Sequence, residues 1–171
     1  MKKNLIAAIV ILLFMTLIGN SYAAPTPPIK ADTPLPKQVS IVAPGPGVLP
    51  EVAAFFGTWV GTWEWDYYTD GVRVKRDAAI IVEKIDGNNI HMMFSWGNLR
   101  PYYRNSTVGW TRVVGTYQPA TGKVYVPLKE PIVTIPHTAT LWISPDGKMQ
   151  GYRNKLLTEA SDYKAVYTKQ Q

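Results

Sequence analysis

Alternation is the dominant pattern in this chain. From Thr58 to Asp66 it reads Thr-Trp-Val-Gly-Thr-Trp-Glu-Trp-Asp, so position parity sorts the residues sharply. Successive strand side chains point to opposite faces. Gly57, Trp59, Gly61, Trp63 and Trp65 therefore share one face, and Thr58, Val60, Thr62, Glu64 and Asp66 share the other. The second set is polar apart from Val60 and is expected to meet water, which turns the three indoles inward. Glycine weakens a strand but permits a close approach or a sharp bend, which suits a strand that coils around large rings. Each buried aromatic removes roughly 150–250 Å² from water, worth at most about 4–6 kcal/mol per ring. Core packing alone is thus a sufficient reason for these tryptophans.

Strand patterns continue over 72–85, 89–97, 107–117 and 123–128. They resume over 132–144, with a break near Pro136, and over 148–157 and 162–169. Between them lie turn signals such as Thr69-Asp70-Gly71, Asp86-Gly87-Asn88 and Pro145-Asp146-Gly147. No helix is expected beyond one short turn over 51–56. Eight or nine short strands with hairpin-length connections predict an all-β, antiparallel, up-and-down meander. Such a sheet removes its exposed edges by closing into a β-barrel, whose interior at eight strands is filled by side chains or holds one small ligand. Four further faces are read as inward: Ile90, Met92, Phe94 and Trp96; Val108, Trp110, Arg112 and Val114; Thr138, Thr140 and Trp142; Tyr163, Ala165 and Tyr167. That interior would hold several indoles, several phenols and one arginine.

The ends of the chain change the picture. Lys2 and Lys3 precede an apolar run over 5–18, and Ser21-Tyr22-Ala23 offers small residues at −3 and −1 of a cleavage site. This is the pattern of a signal peptide over 1–23; its apolar run is short of the roughly 18–20 residues that a span needs. An exported, periplasmic or secreted protein is expected, with no stable membrane insertion after cleavage. Residues 24–50 are proline-rich, including Pro27-Pro28 and Pro44-Gly45-Pro46, and read as an extended linker in which 38–42 has the pattern of a short strand. The barrel domain is expected over 51–171. Loss of Lys2 and Lys3 takes the formal charge from +6 to +4, scattered over most strands, which gives no dense basic patch for nucleic acid. With no cysteine, the fold rests on its core and thiol chemistry is excluded.

Chemistry is sparse. His91 and His137 have no second ligand at metal spacing, and Gly-x-Ser-x-Gly is absent. Glu64 and Asp66 are two residues apart on one strand face, about 7 Å by strand rise, but that face reads as solvated. No catalytic residue, metal site or cofactor is assigned. The segment 97–105 is the most distinctive connection, setting Tyr102 and Tyr103 between Arg100 and Arg104 just after Trp96. Arginine beside tyrosine favours stacking and anion contacts.

Gly57-Thr58-Trp59, with Gly61-Thr62-Trp63 as a second candidate, resembles the Gly-x-Trp signature that opens the first strand of lipocalins and related calycins. Ser161-Asp162-Tyr163 with Tyr167 is loosely similar to a second lipocalin motif, here in the last strand, without a later arginine motif or C-terminal helix. A fainter similarity to avidins rests on the same Gly-Thr-Trp with Val108-Gly109-Trp110-Thr111 and Leu141-Trp142-Ile143. The lipocalin resemblance implies a barrel whose opening Trp closes one end and whose other end is a ligand mouth. The resulting expectation is a non-enzymatic barrel binding a small, partly apolar or aromatic molecule. Its expected ligand-binding residues are Trp63, Trp65, Trp96, Trp110, Arg112, Arg100, Tyr102 and Tyr103. The alternative is a carbohydrate- or protein-interaction module with a filled core, using Tyr67-Tyr68 and Tyr102-Tyr103. The oligomeric state is left open.

Overall fold

Period two along the chain becomes eight strands: β1 (Thr58–Asp66), β2 (Arg73–Asp86), β3 (Asn89–Arg100), β4 (Gly109–Gln118), β5 (Lys123–Leu128), β6 (His137–Ile143), β7 (Met149–Arg153) and β8 (Tyr163–Lys169). The computed structural model describes residues 32–66, 72–100, 108–129, 137–153 and 163–170. The expected signal peptide, Tyr67-Tyr68, Tyr102-Tyr103 and Ser161-Asp162 lie outside these residues. Each strand pairs antiparallel with the next, and β1 pairs with β8 from Trp59↔Lys169 to Glu64↔Lys164, so the sheet is a closed barrel. The meander fixes two ends. The short turns 87–88, 119–122 and 144–148 join strands at one end, and the C-terminal ends of β1, β3, β5 and β7 lie at the other.

The end with the short turns is closed by α1 (Pro50–Ala53). Proline suits the first turn of a helix because its missing N–H would lack a partner there in any case. Val52 and Phe55 are buried in the barrel core, and the Trp59 indole N–H donates to the Phe55 carbonyl at 2.8 Å. Gly57 links α1 to β1 at φ +121°, where a side chain would be strained, and its carbonyl accepts from the Val82 amide at 3.0 Å.

Inward rings are matched to inward glycines. A Cβ at Gly61 would lie 2.1 Å from the Val166 carbonyl oxygen and 2.7 Å from the Tyr167 ring. One at Gly109 would lie 2.8 Å from the Trp96 ring. Gly61 thus serves the close approach of β8, and Gly109 makes room for an indole.

Two of the four inward readings are corrected. Ile90, Met92, Phe94 and Trp96 are buried in the core, as are Ala165 and Tyr167, with Tyr163 packed against it. In β4, however, the core residues are Val113 and Tyr117, while Trp110 is 39% exposed and Val114 42%. In β6 the core takes Ala139, Leu141 and Ile143, so Thr138, Thr140 and Trp142 point outward. Both β4 faces mix apolar and polar residues. Register against β3, which sets Met92 opposite Val113 and Ile90 opposite Gly115, decides which face turns in.

Residues 32–42 of the proline-rich segment lie along the outside of β2 and β3. Ser95 Oγ donates to the Pro34 carbonyl, the Asn98 amide donates to Asp32 Oδ2 at 3.2 Å, and the Val42 amide donates to the Glu83 carbonyl at 2.8 Å. Asp32 sits over Gly97, where a Cβ would lie 3.0 Å from its carboxylate. On this side Ala79, Ile81, Met93 and Ser95 are all buried although they face away from the interior. A chain beginning at Ala43 is therefore expected to lose about 2–4 kcal/mol, the burial of one or two large apolar side chains, read as a lower urea midpoint. An unchanged midpoint would show that the segment adds nothing to the fold.

Candidate functional site

Inside the barrel, toward the end opposite α1, the core stops short of filling the space. A cavity of about 40 Å³ lies there. Trp63, Phe94, Trp96 and Leu128 form its apolar wall, Trp65 and Tyr163 border it, and two cations, Arg76 and Arg153, complete it. Strand phase explains each placement. Arg76 stands directly across from Trp63 in the β1–β2 register, and Arg153 across from Tyr163 in the β7–β8 register. Gly151 makes room for Leu141, since a Cβ there would lie 2.9 Å from its side chain, while the Trp63 ring at 3.6 Å would be in ordinary contact.

The wall is a chain of rings. Phe94 lies 6.5 Å from Trp63 and 6.2 Å from Trp96 between centroids, and Trp65 tilts against Tyr163 at 4.9 Å. The Arg153 guanidinium carbon sits 3.7 Å from the Tyr163 ring centroid, a stacked cation–π contact. Trp63 also meets Tyr167 edge-to-face at 6.4 Å. Beneath this wall the Tyr167 hydroxyl is wholly buried, close to the Trp63 indole but outside hydrogen-bonding geometry.

Charge is sorted by face. Glu64 pairs with Lys75 at 2.8 Å, Asp66 with Arg73 at 3.3 Å and Asp86 with Lys84 at 3.0 Å, all on exposed side chains. Buried Asp77 faces outward, where it pairs with Arg100 and accepts from Thr62 Oγ1 at 3.1 Å. Inside, the two guanidiniums share the cavity. Burial lowers the pKa of Arg76, and repulsion from Arg153 lowers it further. Burial also lowers that of Arg153, against an opposing contribution from Tyr163. Both remain cations, because arginine does not lose its proton in proteins, but each is less well solvated than in water.

Of the residues expected at a site, Trp63, Trp65 and Trp96 come together around the cavity. Arg100 does not, because Asp77 holds it on the outer face. Trp110 and Arg112 are likewise outside. The Arg112 guanidinium lies 5.6 Å from the Trp110 ring, and its Nε and Nη2 each donate to Glu83 at 2.9 Å, which raises its pKa. Tyr102 and Tyr103 lie outside the described residues. Sequence reasoning missed Arg76 and Arg153. The available signal was an arginine in phase with an apolar strand face: Val74, Arg76, Ala78 and Ile80 in β2, and Met149, Gly151 and Arg153 in β7. The carboxylates Glu64 and Asp66 do share a face, but with cations of β2 in water. Among the described residues no three His, Asp or Glu side chains converge.

Burial raises the pKa of Tyr167, with Trp63 opposing in part. The folded state then holds this proton at pH values where the unfolded chain releases it, above about 10. The stability it contributes is complete below that pH and falls as pH rises, by up to about 1.4 kcal/mol per unit. Tyr167→Phe is expected to flatten this alkaline limb in urea titrations. It should leave neutral-pH stability equal or higher by up to about 1 kcal/mol, because the hydroxyl it removes is buried and unbonded. No protein-family model, curated protein or solved structure matches this chain.

Proposed function

We propose that the chain is an exported, calycin-like β-barrel that binds a small, partly apolar, aromatic molecule in its interior, without catalysing a reaction. The observation that carries this reading is the aromatic cavity at the end opposite α1, bordered by Trp65 and Tyr163. Ligand pockets in barrels favour such mouths, with aromatic walls and a few placed polar groups. The Trp59–α1 plug at the other end supports the same polarity, as does the resemblance to the lipocalin opening strand. Two outer tryptophans and four inner ones give the barrel a convenient optical report.

A second reading, a module that binds sugar or protein on its outer surface, has one observation in its favour. Trp142 and Tyr152 lie side by side on the outer face at 5.8 Å, with Lys123 Nζ 5.4 Å from the indole. Binding of soluble sugar or polysaccharide that Trp142→Ala abolishes, without any interior change, would favour it.

Single-ring and indole-sized aromatics are expected to quench or shift tryptophan emission and to perturb NMR signals of Phe94 and Trp96. Trp65→Leu should weaken that binding about tenfold, the loss of one stacked ring, whereas Trp110→Phe should leave it unchanged. If no compound alters the emission and the interior signals stay fixed, the interior-binding reading fails.

A further inference from the structure

In β5 and β6 the inner face takes Val124, Val126, Ala139 and Leu141, so alternation turns Lys123, Tyr125, Thr140 and Trp142 outward, with Tyr152 of β7 beside them. Trp142 and Tyr152 stand 5.8 Å apart between centroids, both half-buried. The Lys123 ammonium lies 5.4 Å from the first ring and 5.8 Å from the second. Lys164 of β8 stands opposite Tyr152 and is exposed. Neither lysine pairs with a carboxylate among the described residues. Glu64 is opposite Lys164 in register but bonds Lys75 instead. Thr140, between Tyr125 and Tyr152 in register, is wholly buried, and its hydroxyl has no hydrogen-bond partner. A polar group in that state carries a cost that a ligand hydroxyl reaching between the rings removes.

Resting on the surface-binding reading and independent of the interior one, we infer that this face binds an acidic polysaccharide. Its sugar rings stack by their C–H faces on Trp142 and Tyr152, and its carboxylates or sulfates meet Lys123 and Lys164. Indole and phenol rings join an apolar face to a polar edge, which suits a ligand that is apolar on its ring faces and hydroxylated at its rim. The strands of the two lysines, β5 and β8, lie three strand spacings apart, about 14 Å. A single small anion does not span that distance, whereas charges repeated along a chain do. Two cations are too few to neutralise the phosphates of a nucleic acid.

Oligomers of galacturonate and of its fully methyl-esterified form share rings and linkage and differ in charge. Their binding to the full mature chain, followed by tryptophan emission and NMR, tests this, with oligothymidylate as a second polyanion. The acid is expected to bind about fivefold to tenfold tighter than the ester, as one or two exposed ion pairs supply, and the advantage should shrink in high salt. Lys123→Gln should erase most of it while leaving ester affinity within about twofold. Trp142→Ala should remove measurable binding of both forms, whereas Trp110→Phe should change neither. Equal affinity for acid and ester would overturn the acidic ligand and leave a sugar-binding surface standing. Tighter binding of oligothymidylate would overturn the inference in favour of nucleic acid. If galacturonate, alginate and chondroitin sulfate oligomers all fail to bind, and the ester with them, the inference and the sugar-binding form of the surface reading both fall. The wild-type comparisons decide the question even where Trp142→Ala does not fold.

Discussion

Closure of β1 onto β8 depends on how little room there is between them at Gly61. The Val166 carbonyl and the Tyr167 ring occupy the place where any side chain at 61 would begin. With that contact made, the sheet has no free edge, and the three tryptophans of β1 are carried past the β8 aromatics Tyr163 and Tyr167. Trp63 then meets Tyr167, and Trp65 meets Tyr163. The same contact therefore sets the plug, the wall and the border of the cavity. A missing methyl group on one residue supports most of the aromatic architecture.

The barrel also separates charge by face. Its outer ion pairs are mostly exposed and each contributes little to stability. Their consequence is spatial: the acidic side chains of the described strands bond to cations outside, and two inward arginines, Arg76 and Arg153, line the aromatic cavity. Desolvated cations beside aromatic faces are a poor choice for a core built only for stability, because apolar residues of similar volume usually serve better. That mismatch between site and bland core is what distinguishes the open end from the α1 end, where the apolar Val52, Phe55 and Trp59 are buried.

The proline-rich segment adds a layer on one side. Strands β2 and β3 are the longest of the eight, and over their middle both faces are buried. The inner face meets the barrel core, and the outer one meets residues 32–42 through hydrogen bonds to Ser95, Asn98 and Glu83. In β3 the resulting pattern is a continuous buried run from Met92 to Gly97, so the alternation visible elsewhere is lost there.

By itself the sequence determined the class of fold, most strand limits and the inward direction of the β1, β3 and β8 rings. Each of those strands pairs one strongly apolar face with a different opposite face, and period two then has a single low-energy solution. Arg76 and Arg153 stand in phase with apolar neighbours, but the sequence reading missed them, because nothing local distinguishes them from Arg112. Tertiary structure alone decided the rest. In β4 both faces mix apolar and polar residues, so the orientation came from the register with β3 and from the glycines that admit Trp96 and Met92; in β6 the inward face of Ala139, Leu141 and Ile143 is the more apolar one in the sequence, and Trp142 alone speaks for the opposite face. The meeting of two arginines from β2 and β7, far apart in sequence, followed from closure of the barrel, which no local pattern encodes.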